Sequence, residues 1–276
     1  GSPENLYDPV RYILSNGGKR IRPALVLIGG NIFSDDVTPA LSPALGIEVF
    51  HNFTLLHDDL MDNSSKRRGK DTVHIRWDAN TAILSGDAMS ILAGKLVSNV
   101  RTEVMKEIMD CYNQTALEVC EGQMLDMNFE ERDEVEAGEY LKMIELKTSV
   151  LIAASLKIGA LSCGAELAQA DALYDFGKNL GIAFQLQDDY LDTFGDEEVF
   201  GKPVGNDIVN NKKTILMITC LKESSAADTQ ELLAWVKKAE FEREEKIEKV
   251  KAIFHRNGIE EKTLSLIRQY FEKASD

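Results

Sequence analysis

The sequence predicts an all-α fold on three observations. Only six prolines interrupt 276 residues, and three of them fall by position 23. Period-two alternation of apolar and polar residues, the mark of a half-buried strand, is hard to find. Apolar residues at helical spacing recur along most of the chain. With mean helices of about 11–12 residues, roughly ten or more fit into a bundle. Residues 1–276 are read as a single domain, with no internal repeat of fixed period and no low-complexity tract.

In chain order, Leu45, Val49, Phe53, Leu56 and Leu60 step by 4, 4, 3 and 4, which predicts one apolar helix face. Residues 62–72 and 128–139 are polar or acidic and are expected to be loops. "LIAASLKIGAL", residues 151–161, is apolar with one lysine, as a helix packed deep among others requires. Ala172 to Leu191 continues helically and stops near Gly195, a C-terminal breaker. A third loop is expected at 195–212. Residues 228–254 are charge-rich, with Leu232, Trp235, Val236, Ala239 and Phe254 on a rough stripe, and predict one amphipathic outer helix.

Composition narrows the function classes. Apolar residues make up 44% of the chain, enough for a substantial core. The net charge of −15 argues against nonspecific binding to nucleic acid or to an anionic membrane. It leaves room for an anionic small substrate, because bound metal ions reverse the local sign. Cys111, Cys120, Cys163 and Cys220 form no CxxC pair and are expected to be buried, reduced thiols of a cytoplasmic protein. No apolar run reaches the roughly 18 residues of a transmembrane helix, and no signal-peptide pattern opens the chain.

Two short segments carry the chemistry. "LLHDDLMD", residues 55–62, and "FQLQDDYLD", residues 184–192, each place two adjacent aspartates and a third three positions on inside an apolar helix. Positions i and i+4 share a helix face, so Asp58 pairs with Asp62 and Asp188 with Asp192. A helix C-terminus carries partial negative charge, which disfavours carboxylates there. Compensation by a cation is therefore expected. Paired hard oxygen ligands without a His or Cys cluster select Mg²⁺ over zinc.

Mg²⁺ shares its shell with water and phosphate oxygens. Phosphate-binding cations are offered by "NGGKRIRP" (Lys19, Arg20, Arg22), "SKRRGK" (Lys66, Arg67, Arg68, Lys70), "ELKTS" (Lys147, Thr148) and "FGKPVGNDIVNNKK" (Lys202, Lys212, Lys213). Basic clusters beside acidic ones point to two diphosphate sites, one reached through metal and one gripped directly. Each piece alone has a bland reading. A lone DDxxD occurs by chance in acidic helices, "GGKRIRP" could be a surface turn, and Lys147 could be a snorkelling surface lysine. His57 is read as structural. His51 lies two turns before Asp58 on the same face and can point where the aspartates point.

In this order the motifs "GGKRIRP", "HDDLMDNSSKRRG", "EGQMLD", "LKTS", "FQLQDDYLD" and "GKPVGNDI" resemble the trans-isoprenyl diphosphate synthases, the polyprenyl synthetase family, of the short-chain farnesyl and geranylgeranyl diphosphate synthase type. The match covers roughly residues 7–220. The resemblance implies the isoprenoid synthase fold, a bundle of mostly antiparallel helices around a deep central cavity, in a homodimer. Members carry a further N-terminal helix, which is expected to be missing before this chain. The implied activity is a dimethylallyl-, geranyl- or farnesyl-transferring transferase that joins an allylic diphosphate to isopentenyl diphosphate.

The resemblance also implies roles. Asp58, Asp62 and Asp188, with Asp59, Asp189 and Asp192, would hold three Mg²⁺ ions on the allylic diphosphate, and Asp126 would hold a metal-bound water. Arg67, Lys147, Lys202 and Lys212 would grip that diphosphate. Lys19, Arg22, His51 and Arg68 would hold isopentenyl diphosphate. Thr148 and Gln185 would stabilise positive charge at the reacting carbons.

Product length is expected from the helix before the first motif. Thr54 and Phe50 lie about 6 and 12 Å down its axis from Asp58. Phe53 lies five residues before that aspartate. In the family, bulky side chains at the fifth and fourth positions before the motif close the hydrocarbon tunnel. Phe50, Phe53 and Thr54 as its floor predict a C15 or C20 product. Alternatives are a terpene cyclase or head-to-head condensing synthase, a noncatalytic regulatory subunit, and an acidic cation-binding scaffold. The isopentenyl-site motifs argue against the first and the six aspartates against the second, while the scaffold would differ by binding Mg²⁺ without diphosphate.

Overall fold

The computed structural model describes residues 1–196 and 204–275. Among these the chain is helical almost throughout. In order the helices are α1 (Glu4–Ser15), α2 (Ile21–Asn31), α3 (Leu41–Met61), α4 (Val73–Arg76), α5 (Ala79–Val97), α6 (Thr102–Glu131) and α7 (Ala137–Ile144). They continue with α8 (Val150–Ser162), α9 (Leu167–Phe194), α10 (Asn206–Val209), α11 (Ile215–Glu223), α12 (Ala226–Lys237), α13 (Arg243–Arg256) and α14 (Ile259–Ser275). A π-helical turn, Glu145–Ser149, joins α7 to α8. The all-α fold expected from the sequence is present.

Packing divides the chain into two compact units. One comprises Gly1–Gln114 with Ala154–Tyr174, the other Thr115–Ala153 with Asp175–Asp276. No Pro- or Gly-rich linker separates them; the divisions fall inside α6, α8 and α9.

In the first unit α3 packs along α5. A core of Val10, Ile13, Leu56, Val73 and Met89 ties α1, α3, α4 and α5 together. The expected stripe on α3 is only partly right. Leu56 is buried, but Leu45 is 60% exposed. Ala44, Ile47 and Phe50 are buried instead, because α3 is apolar around much of its circumference and is covered on more than one side.

The second unit has its own core, centred on Tyr140, Leu186, Leu216, Leu232 and Phe254. The single outer helix expected over 228–254 is two helices, α12 and α13. Lys238 is extended at φ −70°, ψ 115° and ends α12. Glu244 and Glu245 then favour a new N-terminus. Each short helix turns its own apolar residues inward, Leu232 on one and Val250 and Phe254 on the other. The apolar segment 151–161 lies inside α8, with Leu151, Ile152 and Ile158 buried, as its composition demands.

Three further expectations change. Residues 62–72 are not all loop. Lys66–Arg67 and Lys70–Asp71 form an antiparallel ribbon with Lys66 opposite Asp71. Its two-residue turn, Arg68-Gly69, has both φ angles positive (54° and 76°), the geometry that matches strand twist. The acidic segment 128–139 is loop only in its middle, since α6 runs to Glu131. The four thiols are free, but only Cys220 is buried and Cys120 is exposed.

Candidate active site

In the first unit the aspartate motif sits at the C-terminus of α3, with Asp62 as its C-cap. The ribbon brings Arg67 back onto it. Arg67 Nε donates to Asp59 Oδ1 at 2.7 Å and Nη2 to Asp58 Oδ2 at 3.3 Å. The adjacent aspartates differ in exposure. Asp59 is 3% exposed, and burial pushes its carboxyl up while Arg67 holds it down. Asp58 is half-buried and Asp62 exposed.

The cations form a second feature of this unit. The segment before α2 contains Gly17 and Gly18 at φ 78° and 132° and Arg20 at φ 52°. Arg68 Nη1 donates to the Gly17 carbonyl, and a β-carbon at Gly18 would lie 2.8 Å from that guanidinium. Arg22 Nη1 lies 3.2 Å from His51 Nε2. An arginine only donates, so Nε2 is the acceptor and the His51 ring is neutral. Burial first, then the charges of Arg22, Arg68, Arg67 and Arg20, depress His51 to about 2. Burial lowers Arg22 to about 10, against the raising effect of Glu48. Lys19 is exposed. Arg22, His51 and Arg68 thus lie near one another, with Glu48, which the sequence did not single out, among them. His57 packs on Gly86 with Nε2 3.2 Å from the Ile83 carbonyl, which fits a structural role.

Further down α3, Phe50 is 2% exposed and contacts Phe53 and Tyr112, each at 5.5 Å between ring centroids. Phe53 in turn meets His57 at 4.8 Å. Thr54 Oγ1 donates to the His51 carbonyl at 2.8 Å. Tyr112 carries no motif that could have marked it beforehand.

In the second unit the π turn carries Lys147 and Thr148. Two glycines admit it. A β-carbon at Gly122 on α6 would lie 2.3 Å from the Lys147 nitrogen, and one at Gly181 on α9 would lie 2.7 Å from Ser149 Cα. Single π turns of this kind recur at functional sites. Lys147 Nζ donates to Asp126 Oδ2 at 2.5 Å. Thr148 Oγ1 donates to Gln185 Oε1 at 3.2 Å, and Gln185 Nε2 donates to Asp189 Oδ1 at 3.1 Å. These two bonds fix the amide, with its oxygen toward Thr148.

The second aspartate motif lies in the last turns of α9. Asp189 is 2% exposed and accepts from the buried Tyr140 hydroxyl. Burial raises its pKa to about 7 against the Tyr140 hydrogen bond. Asp188 and Asp192 are half-buried, and Asp192 Oδ2 accepts from the Asp207 backbone at 2.9 Å. Asp207 is raised to about 6, chiefly by burial, with Lys212 opposing and Asp192, Asp188 and Asp126 adding to the rise. Four carboxylates therefore share one electrostatic neighbourhood. Asp207 lies inside "GKPVGNDI" but was not singled out from the sequence. Tyr140, 49 residues from its partner, had no local signal. Lys202 lies outside the described residues.

In both motifs the middle aspartate turns inward to protein donors, while its neighbours stay accessible. Hard carboxylates gathered around Asp207 fit Mg²⁺. Among the described residues no three His, Cys, Asp or Glu side chains form a ready-made metal cage. The non-glycine residues at positive φ among them are Arg20, Asn63, Arg68 and Asn211. Each lies beside or within one of these acidic or basic segments.

Comparison with known proteins identifies the family. The polyprenyl synthetase family matches residues 3–254. A geranylgeranyl diphosphate synthase of Methanosarcina mazei is 43% identical over 228 residues, covering 82% of this chain and 70% of that protein. A geranylfarnesyl diphosphate synthase of Natronomonas pharaonis is 40% identical over 234 residues, covering 78% of this chain and 69% of that protein. A crystal structure of a geranylgeranyl pyrophosphate synthase superposes with a TM-score of 0.94 at 47% identity, over 99% of this chain and 84% of that one. The chain belongs to the polyprenyl synthetase family and is a transferase, an isoprenyl diphosphate synthase of the short-chain trans type.

Proposed function

We propose that this chain is a Mg²⁺-dependent head-to-tail trans prenyltransferase that extends an allylic diphosphate with isopentenyl diphosphate to a C15 or C20 product. The observation that carries this reading is the grouping of Arg22, His51 and Arg68, with the exposed Lys19 in the same "GGKRIRP" segment as Arg22. A cyclase ionises one diphosphate and has no use for a second cationic site. Asp58, Asp62, Asp188 and Asp192 are the carboxylates offered to Mg²⁺. Asp59 and Asp189 complete the motifs from within, by holding Arg67 and Gln185, and Asp126 orders Lys147. Three Mg²⁺ are expected when the allylic diphosphate is bound. Bound Mg²⁺ would neutralise charge developing on the departing diphosphate.

The protein's own part follows from its side chains. Arg67, Lys147, Lys202 and Lys212 stabilise the leaving diphosphate as the allylic C–O bond breaks. Gln185 Oε1 and the Thr148 hydroxyl present partial negative charge to the resulting carbocation. Apolar walls exclude the water that would trap it as an alcohol. The isopentenyl double bond supplies the electron pair for the new C–C bond. The proton then lost from the neighbouring carbon passes to the released diphosphate, so no protein base is required.

Phe50 and Phe53, with Thr54 between them and Asp58, are proposed as the floor that limits product length. A homodimer is proposed on two exposed apolar rows at heptad spacing. Leu84 and Ile91 on α5 are 60% and 75% exposed, and Leu117 and Met124 on α6 are 61% and 57% exposed. No helix among the described residues is long and apolar enough to cross a membrane. A cytoplasmic location is proposed on the free thiols. The test is incubation with labelled isopentenyl diphosphate and each allylic primer, with Mg²⁺ or with chelator. Metal-dependent incorporation into C15 or C20 prenyl diphosphate supports the reading. A cyclic product without incorporation would overturn it.

A further inference from the structure

The segment that carries Lys19 and Arg22 is held by a group of residues with no assigned part in the reaction. Arg20 lies between the two cations in sequence and caps α2 in a left-handed conformation, φ 52°. Its side chain engages α1 and α3. One guanidinium nitrogen pairs with Glu48 Oε1 on α3, and the other donates to the Leu14 carbonyl at 2.8 Å in the last turn of α1. The planar fork thereby ties α1, α2 and α3 together at one point. Glu48 is itself fixed. Asn52, one turn on and 0% exposed, donates from Nδ2 to the Glu48 carbonyl and to Glu48 Oε1, each at 2.8 Å. Both amide hydrogens are used, so the Glu48 rotamer is set from below. The charge of Glu48 also acts on Arg22 and Arg68. An anion amid cations proposed to bind diphosphate opposes that binding electrostatically, so its presence needs another reason.

We propose that Arg20, Glu48 and Asn52 are positioning residues of the isopentenyl diphosphate site, and that Glu48 is the built-in counter-anion that holds the arginines in their binding arrangement before substrate arrives. This rests on the reading that Lys19, Arg22, His51 and Arg68 form that site. Arg20 is then a strap and not a substrate ligand. Its left-handed backbone accompanies a fork that reaches α1 and α3. Preorganisation of this kind lowers the cost of binding without touching the bond-making step.

The experiment compares wild type with Glu48→Gln and Arg20→Lys. Glu48→Gln removes the charge and keeps the acceptor for Asn52. Arg20→Lys keeps the charge and loses the fork, and it serves where Glu48→Gln fails to fold. The expected result in both is a rise in KM for isopentenyl diphosphate of about tenfold or more, with kcat and the allylic KM within about twofold. Calorimetry of inorganic pyrophosphate without metal should show the same weakening, independently of turnover. A lowered isopentenyl KM would make Glu48 a mere competitor and overturn the proposal. An unchanged KM in both variants, or parallel loss of kcat, both KM values and thermal stability, would overturn it as well. Wild type that binds pyrophosphate at this site, weakened in both variants, yet incorporates no isopentenyl unit would instead sink the proposed function and leave the positioning role standing.

Discussion

Tyr140 donates its phenolic hydrogen to Asp189, 49 residues further along the chain, and both side chains are buried. Asp189 also accepts from Gln185 at 3.1 Å, so one buried carboxylate orders a side chain proposed to face the reacting carbons. Tyr140→Phe leaves that carboxylate with one fewer donor in a dry setting. The expected cost is about 1–3 kcal/mol of stability, read by denaturant titration. A fall in kcat should accompany it, because Gln185 loses its anchor's fixed position.

The two adjacent aspartates of the first motif should respond differently to the same change. Asp58→Asn is expected to abolish prenyl transfer with stability within about 0.5 kcal/mol, since Asp58 is half-buried. Asp59→Asn removes the buried negative charge that pairs with Arg67 and should lower both activity and stability, the latter by about 1–3 kcal/mol. Parallel assays and melting curves separate the two.

Gly122→Ala would place a β-carbon 2.3 Å from the Lys147 nitrogen. The π turn must then move away from α6 and carry Lys147 off Asp126. Overpacking of this kind costs about 1–3 kcal/mol. A larger relative loss in kcat than in isopentenyl KM is expected from steady-state kinetics.

His51 should stay neutral through the physiological range, since its pKa is depressed to about 2 by burial and the surrounding arginines. Its unfolded value near 6.5 lies above the folded one, so the unfolded chain binds the extra proton between them. The His51 contribution to stability is therefore full above about pH 6.5 and declines as pH falls toward 2. The His51 Cε1 proton resonance of the ligand-free protein should be flat from pH 5.5 to 8. A midpoint near 6.5 would contradict the burial argument.

Much of this was legible in sequence because the chemistry is local. Asp58 and Asp62, or Asp188 and Asp192, are one helical turn apart, and helix periodicity places them. The apolar segment 151–161 could only be interior. What was hidden depends on distant chain segments. Tyr140 meets Asp189, and Tyr112 meets Phe50, through packing that no short window encodes. The fate of Leu45 was misread because a helix covered on several sides shows no single stripe. The break at Lys238 was missed because charge-rich helices that adjoin in sequence merge into one pattern. Glu48 belongs to no motif that marks it among the 46 acidic residues of the chain.

Product length tests the aromatic floor. Phe53→Ala is expected to lengthen the main product, as judged by chromatography of the dephosphorylated alcohols. Phe50→Ala should lengthen it too, at a stability cost of about 3–5 kcal/mol because Phe50 is fully buried. A wild-type product of C30 or longer would move the floor elsewhere.

Carboxylates of each motif are proposed to bind Mg²⁺ only together with a substrate diphosphate. Calorimetry of Mg²⁺ with and without a non-ionisable allylic diphosphate analogue tests it most directly, in wild type, Asp58→Ala and Asp188→Ala. The account requires tight, mutually dependent binding of metal and analogue in wild type and its loss in either variant. Analogue binding that is unchanged by chelator, or that survives both substitutions, would contradict it.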